Sequence, residues 1–489
     1  MTRASVPFFL LVLLSVLALF WPAAGPPPPT NGEIHVGDTA WMLTSSALVL
    51  LMTPGLSFFY GGMVNFRNVV STMFQSIVSL GVISLLWVLV GFSLAFGDDL
   101  GGMGLIGDPR TFFLFHNVSE ETFRLGSDPA TAVGFSIPLL LFAMFQLKFA
   151  VIAPALFTGS FAERVRFSSY LLFMTLFSLL IYSPLAHMTW HPDGLLFRWG
   201  VKDFAGGTVV HISAGLAALA GAMVLGPRNS HREKDVHAPA NIPYVLLGTG
   251  LLWFGWFGFN AGSAGGANGL AALAFATTNT ASASAMLGWI FFDWMLGKKP
   301  SALGGCIGAV VGLVAITPAA GFVTVPQSIF IGLSASVISN LAVGYRTRSA
   351  IDDTLDVFPC HGLGGMVGMV MTGVFAKDVG LWYGHTTIFV YHLIALVIVS
   401  VFAFAGSYGL YQLVNRVIPL RVSPEEELDG LDLTQHGETA IGESLLGLFR
   451  SNGNGFVVGI GADNGHDHGH SHDHDQVPQG SLLIEPGTP

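Results

Sequence analysis

Long apolar stretches alternate with short polar ones along the chain to about position 418. An α-helix needs about 20 apolar residues to cross the hydrocarbon core of a bilayer. Eleven stretches reach that length, near 40–61, 69–97, 135–160, 168–189, 204–226, 244–265, 271–296, 302–318, 327–344, 358–375 and 386–416. A shorter run, Phe8–Trp21, follows Arg3 and precedes the small residues Ala23-Ala24-Gly25. That arrangement reads as a secretory signal peptide over residues 1–25, the alternative being an uncleaved first anchor. Pro26–Pro29 come next and cannot extend the helix. At Pro419 the pattern changes. RVSPEEELDGLDLTQHGETA is polar and acidic, SLLGLFR has the pattern of a short amphipathic helix, and a glycine- and His/Asp-rich end runs to Pro489. The predicted layout is a signal peptide (1–25), a membrane domain (40–418), a cytoplasmic regulatory tail (419–450) and a disordered end (451–489). Beyond Pro419 the chain is too short for a kinase or cyclase domain.

Composition supports the same picture. The chain is 52% hydrophobic and 10% charged, whereas soluble domains are about 25% charged. A soluble enzyme is thereby disfavoured, and the predicted fold class is an all-α polytopic membrane protein. The formal charge of −10 says little about partners, because much of it lies in the tail and loops. Cys306 and Cys360 lie in or beside apolar segments, which argues against a disulfide framework.

A cleaved signal places the N-terminus outside, and eleven spans then place the C-terminus inside. Basic residues test this independently: twelve, among them Arg164, Arg228 and Arg346, fall on the assigned inner side and five on the outer. That bias satisfies the positive-inside rule. With an odd span count, spans one to five and six to ten run in opposite senses. A duplicated half would then form inverted five-helix repeats, with span eleven left over as an outer brace.

Two histidines carry the strongest chemical signal. His211 lies in DFAGGTVVHISAGLAALAGAMVLG and His361 in DVFPCHGLGGMVGMVMTGVF. Ionisable groups at membrane depth are expensive and by default line an interior path. Each follows an aspartate, Asp203 or Asp356, and precedes small residues, as if one site had been built twice by a repeat. Antiparallel helices could bring both to the midplane. Two adjacent imidazoles in a low-dielectric lumen should be neutral or share one proton, which suits a small polar molecule or a proton relay. The bland alternative is a pair of satisfied structural histidines. Asp203 begins span five, where it can cap the helix or coordinate a cation; the capping role is favoured.

Aromatic residues form the second element. Trp190 ends span four at the outer surface. Phe259 and Ser263 are four apart and share a helix face, with Ser263 the more external, and Phe145 and Phe149 share a face of span three. An indole face with a hydroxyl could hold a small cation, and phenylalanine rings below it would exclude water. For any one of these aromatics alone, interfacial anchoring or core packing is the competing reading. Lys148 falls at the centre of span three and cannot snorkel to a surface; it points away from the Phe149 face, toward a buried pairing or a subunit contact. The tract HDHGHSHDHD could chelate a metal loosely or be a solvated end, and no metal site is assigned to it. Asn117-Val118-Ser119 is a glycosylation sequon on an outer loop.

Several stretches resemble the ammonium transporter family. DFAGGTVVHISAGLAALAGAMVLGPR matches its signature throughout, joined by FTGSFAERVRF, GWFGFNAGSAG, DVFPCHGLGGMVG with MTGVFA, and GLDLTQHGETA. The resemblance runs from about Trp41 to Ala440. It implies a homotrimer in the plasma or inner membrane, with one pore per subunit and no cofactor, enzymatic reaction or nucleic-acid partner. On the family pattern Trp190 and Ser263 match the external recruitment site, which Asp203 keeps intact. Phe149 and Phe259 match the phenylalanine gate, and His211 and His361 the twin pore histidines. Trp190 and Ser263 favour the ammonium-transporter branch over Rhesus-type channels; an ammonium sensor signalling through its tail is the second reading. Thr434 occupies the position of a regulatory phosphothreonine in plant relatives, and Asp356 is grouped with it as a regulatory candidate. A PII-type nitrogen regulator is the implied partner at the inner surface.

Overall fold

A computed structural model describes residues 6–21, 30–234 and 238–440. The small residues at 23–25, the SLLGLFR stretch and the His/Asp tract lie outside them. Thirteen helices organise the described chain: α1 (Val6–Phe20), α2 (Val36–Met63), α3 (Phe66–Phe96), α4 (Leu139–Ser160), α5 (167–190), α6 (Gly207–Leu225), α7 (Ile242–Gly262), α8 (Gly269–Met295), α9 (Ala302–Ile316), α10 (Val325–Arg346), α11 (Phe358–Phe375), α12 (Thr386–Val417) and α13 (Pro424–Asp429). Among the described residues nine helices are long and apolar enough to cross a membrane. The predicted stretches 271–296 and 302–318 fall outside that count. α8 has 27 residues but is diluted by Thr277, Thr278, Thr280, Ser282 and Ser284, and α9 is only 15 residues long.

The all-α expectation needs one correction. Between α3 and α4 a two-stranded antiparallel ribbon forms, β1 (Thr122–Leu125) with β2 (Val133–Pro138). Phe123 stacks on Phe135 with centroids 4.7 Å apart, a cross-strand aromatic pair of the kind that stabilises ribbons. The apolar run predicted from 135 therefore begins as strand, and Pro138 caps a helix that starts at Leu139.

Helix starts follow their local chemistry. Thr324 and Gln327 form a capping box at the start of α10, with Pro326 in the first turn, where its missing N–H costs nothing. Asn241, Asn268 and Ser301 each accept an amide at the first turn of α7, α8 and α9. Within the bundle, α2 and α7 approach along a seam of small residues. A Cβ added to Gly258 would lie 2.6 Å from Leu48 Cβ, and one on Gly255 would collide with Met52. Such seams let helix backbones approach where apolar burial offers no drive between helices in lipid. Some buried polar groups are paired across helices: Tyr60 donates to the Leu156 carbonyl at 2.8 Å and Trp87 Nε1 to the Ala143 carbonyl at 2.9 Å.

Five π-helical turns break the regular pattern among the described residues, and two of them open helices, Gly207–Ile212 at the start of α6 and Phe358–Leu363 at the start of α11. These two contain His211 and His361. π-turns leave carbonyls and amides out of the i→i−4 ladder and recur at functional sites.

Candidate functional site

The π-turns are anchored by carboxylates. Asp203 Oδ1 accepts from Gly206 and Gly207 amides at 2.9 and 2.7 Å, and Oδ2 accepts from the Thr208 amide at 2.8 Å and from the Thr208 hydroxyl. Four donors fill the four lone-pair sites of a carboxylate. Asp203 thus caps the helix that carries His211 and has no lone pair left for a cation. In the second half, Asp353 accepts from the Val357 and Phe358 amides at 3.1 and 2.7 Å. This corrects the pairing of Asp203 with Asp356: the residue equivalent in structure to Asp203 is Asp353. Each lies eight residues before its histidine, a spacing present in the sequence but masked by the nearer Asp356. Asp356 instead adopts φ 56° and pairs with Arg346, Nε to Oδ1 at 2.7 Å. Burial raises its carboxyl to about 7 despite that arginine.

The crossing of the two turns is equally symmetric. A Cβ on Gly215 would strike the backbone of Gly362, and one on Gly365 would sit 3.0 Å from Ile212 and 3.3 Å from His211 Cβ. Each glycine lies four residues after its own histidine and receives the other turn. Only hydrogen side chains allow this contact, and it brings His211 Nδ1 to 3.4 Å from His361 Nδ1. Both rings are buried, at 1% and 2% exposure. His211 Nε2 has no hydrogen-bond partner among the described residues. One proton can lie between the facing Nδ1 atoms, so one ring donates there and the other accepts, and their Nε2 atoms take opposite roles.

A continuous file of rings extends from the pair. His211 lies 5.9 Å from Phe259, Phe259 lies 4.2 Å from Phe149, and Phe149 meets Trp190 edge-on at 5.9 Å. Phe149 and Phe259 are 1% and 0% exposed, so their contact closes the file to water. On the far side Trp190, Phe149, Ser263, Phe145 and Gln146 line a cavity of about 160 Å³. The Trp190 Nε1–H donates to the Asp203 carbonyl at 3.2 Å, which fixes the indole and leaves its face free. Ser263 donates its hydroxyl hydrogen to the Phe259 carbonyl at 2.8 Å, so its oxygen lone pairs remain free to accept. The structure therefore brings Trp190, Ser263, Phe149, Phe259, His211 and His361 into one line.

Sequence reasoning missed Trp256. It stacks on His211 with centroids 5.3 Å apart and an interplanar angle of 16°, and its Nε1 donates to Thr317 Oγ1 at 2.9 Å. Its position three residues before Phe259 was the available signal. Lys148 is half-buried and has no hydrogen bond or ion pair among the described residues, so the pairing expected for it is not made with any of them. The Asn117 amide oxygen is buried with no hydrogen-bond partner among the described residues. Thr434 lies apart from the file, in the tail, and donates to the Gly430 carbonyl at 2.9 Å.

The tail straps across one end of the bundle. Arg166 N–H donates to the Leu420 carbonyl at 2.7 Å and its guanidinium to Glu426 at 3.2 Å. Asp432 accepts from the Val70 and Ser71 amides of α3 at 3.0 and 2.8 Å. Beneath it, Arg228 binds Asp352 through Nε at 2.8 Å and Nη2 at 3.0 Å, and reaches Glu163 at 2.8 Å.

A multi-helix membrane bundle with a buried, histidine-bearing file through its interior defines a multi-pass membrane transport protein. The model of the ammonium transporter family matches residues 40–441, and the chain belongs to that family. It is 47% identical over 416 residues to a putative ammonium transporter of Methanothermobacter thermautotrophicus, covering 83% of this chain and 98% of that protein. The crystal structure of Saccharomyces cerevisiae Mep2 superposes with a TM-score of 0.74 at 32% identity, over 81% of this chain and 89% of that one. A solved sensor Amt protein gives 0.73 at 29% identity, over 82% and 98%.

Proposed function

We propose that this chain takes ammonium at the Trp190–Ser263 cavity and conducts ammonia past the twin histidines into the cytoplasm. The observation that carries this reading is the unbroken file from Trp190 through Phe149 and Phe259 to His211 and His361. The indole face attracts a cation by about 0.5–2 kcal/mol, and the Ser263 oxygen accepts an N–H. A hydrated ion cannot pass the closed phenylalanine pair. Near the phenylalanine pair ammonium gives up its proton, either back to outer water or onward to the histidines, and neutral ammonia then exchanges hydrogen bonds with the histidine Nε2 atoms. Potassium has neither a proton to shed nor N–H bonds to replace its hydration.

The same reading has eleven spans, α8 and α9 included, in two inverted five-helix repeats. Its support is the matched Asp–His–Gly spacing of the two halves and their reciprocal glycine contacts. The Trp190 end is then outer and the tail end cytoplasmic, in agreement with the basic-residue bias, and residues 1–25 are a signal peptide. On the family pattern the chain assembles as a homotrimer in the plasma or inner membrane, catalyses no covalent conversion, and is met at its tail face by a PII-type regulator. A sensor role through the docked tail is the second reading, favoured by the likeness to a sensor Amt protein.

Proteoliposomes challenged with ammonium test the proposal. The expected signal is a current if the proton follows, or internal alkalinisation if ammonia crosses alone, and His211→Asp should alter it. Parental liposomes giving neither signal would overturn the transport reading.

A further inference from the structure

We propose that His392, on α12, is a positioning residue for the outer cation site, holding the loop that carries Asp203 and, through it, the indole of Trp190. The inference rests on the transport reading above, since it assigns a residue to that site. His392 is 1% exposed and lies on the helix that the sequence marks as an outer brace outside the two repeats. Its Nε2 accepts the Lys202 backbone N–H at 3.0 Å, and its Nδ1 faces the Met369 carbonyl at 3.2 Å. A backbone amide can only donate and a carbonyl can only accept, so the ring must be neutral with its proton on Nδ1. One imidazole thus ties the residue before Asp203 to α11, eight residues along that helix from His361.

Neighbouring residues on α12 act on the same loop. Tyr391 stacks on Trp199 with centroids 5.8 Å apart, and Ile388 closes over Gly200, where an added Cβ would lie 3.0 Å from its Cδ1. Positions 388, 391 and 392 follow the i, i+3, i+4 spacing of one helix face. That face clamps residues 199–202 immediately before Asp203. The chain of dependence is then short. Lys202 fixes the peptide leading into Asp203, the Asp203 carbonyl accepts the Trp190 Nε1–H at 3.2 Å, and the indole face lines the cavity with Ser263. A loop released at Lys202 would let the indole tilt, while the Asp203 carboxylate, held by its own four donors in the turn, still caps the helix that carries His211. His392 therefore governs capture of the cation and not passage of ammonia.

Proteoliposome transport of methylammonium over a concentration series separates these effects. His392→Leu removes both ring partners and leaves the Lys202 amide unpaired; the half-saturating concentration should rise by about five- to tenfold, with the maximal rate within about twofold of the parent. His392→Gln offers an oxygen to Lys202 and an N–H to Met369, and should restore most of the affinity. In a Trp190→Leu background, His392→Leu should add little, because both changes act through the indole. An unchanged half-saturation in His392→Leu overturns the proposal. So does a loss confined to the maximal rate, a Gln variant no better than Leu, or full additivity with Trp190→Leu. Failure of the parent to transport would instead overturn the transport reading, which the same assay reports separately.

Discussion

Two facing Nδ1 atoms 3.4 Å apart admit one proton between them, so the histidine pair offers a guest one donor and one acceptor without net charge. A carboxylate in place of one imidazole converts that neutral bridge into a fixed negative site. His361→Glu should therefore weaken potassium exclusion and change the ammonium-evoked signal while the protein still assembles; currents in ammonium and potassium gradients check this. Unchanged current with unchanged exclusion would remove the histidines from selectivity. At the other end of the file, Trp190→Leu abolishes the π face. The half-saturating methylammonium concentration should rise by up to about thirtyfold, the equivalent of a cation–π contact, and Ser263→Ala should raise it further. Both histidines stand out in the sequence because each is an ionisable group in an apolar setting, and Trp190 and Ser263 because the family resemblance marks them. Trp256 does not, because a tryptophan in an apolar helix reads equally as packing, and only its stacking on His211 distinguishes it.

At the scale of elements, the working unit is an aspartate, a π-turn and a glycine, used twice. Asp203 and Asp353 cap the turns, the histidines project from them, and Gly215 and Gly365 admit the opposite turn. A side chain at Gly215 meets backbone, which cannot swing aside. Gly215→Val should cost about 1–3 kcal/mol or more through overpacking and abolish transport by separating the histidines; a thermal melt in detergent beside the transport assay reads both. An exposed-face control such as Gly250→Ala, where an added Cβ meets nothing, should leave both near parental. Hydrophobic length located the helices to within a few residues, since burial in lipid is a property of composition. The ribbon at 122–138 and the π-turns were hidden for different reasons. Phe135 and Ile137 are as apolar in a strand as in a helix, and a π-turn depends on which amides a distant carboxylate captures. The eight-residue spacing that identifies Asp353 was in the sequence, yet its meaning required the amides it caps.

For the whole molecule, the tail end is organised by charge. Burial alone would raise the Asp352 carboxyl, but Arg228 and Arg164 overcome it and hold the group below its ordinary value of 3.8. A depressed carboxyl contributes stability that is full above the unfolded value and is lost as pH falls through the folded one. Parental protein should thus outlast Asp352→Asn in thermal melts at neutral pH, with the difference shrinking only below about pH 4. Breaking such a buried pair costs about 3–5 kcal/mol; equal melting at pH 7 would contradict the assignment. The tail sits on this network: Glu427 accepts from the Asn229 amide at 2.7 Å and from Arg421 at 2.7 Å, and Asp432 accepts the Val70 and Ser71 amides of α3. Thr434 is two residues beyond that cap, its hydroxyl closing the turn onto the Gly430 carbonyl. A phosphate there would remove this donor and add about −1.5 to −2 charge beside Asp432 and Glu438. The strap should then lift from α3, exposing the Val70 and Ser71 amides and reducing transport. Thr434→Asp and a truncation after Ile418 test the coupling in a cell that depends on this protein for limiting ammonium. Slower growth at equal expression, with faster hydrogen exchange at Val70 and Ser71 in detergent, is the expected outcome. Parental growth in both variants would show that the strap stabilises the bundle without gating it.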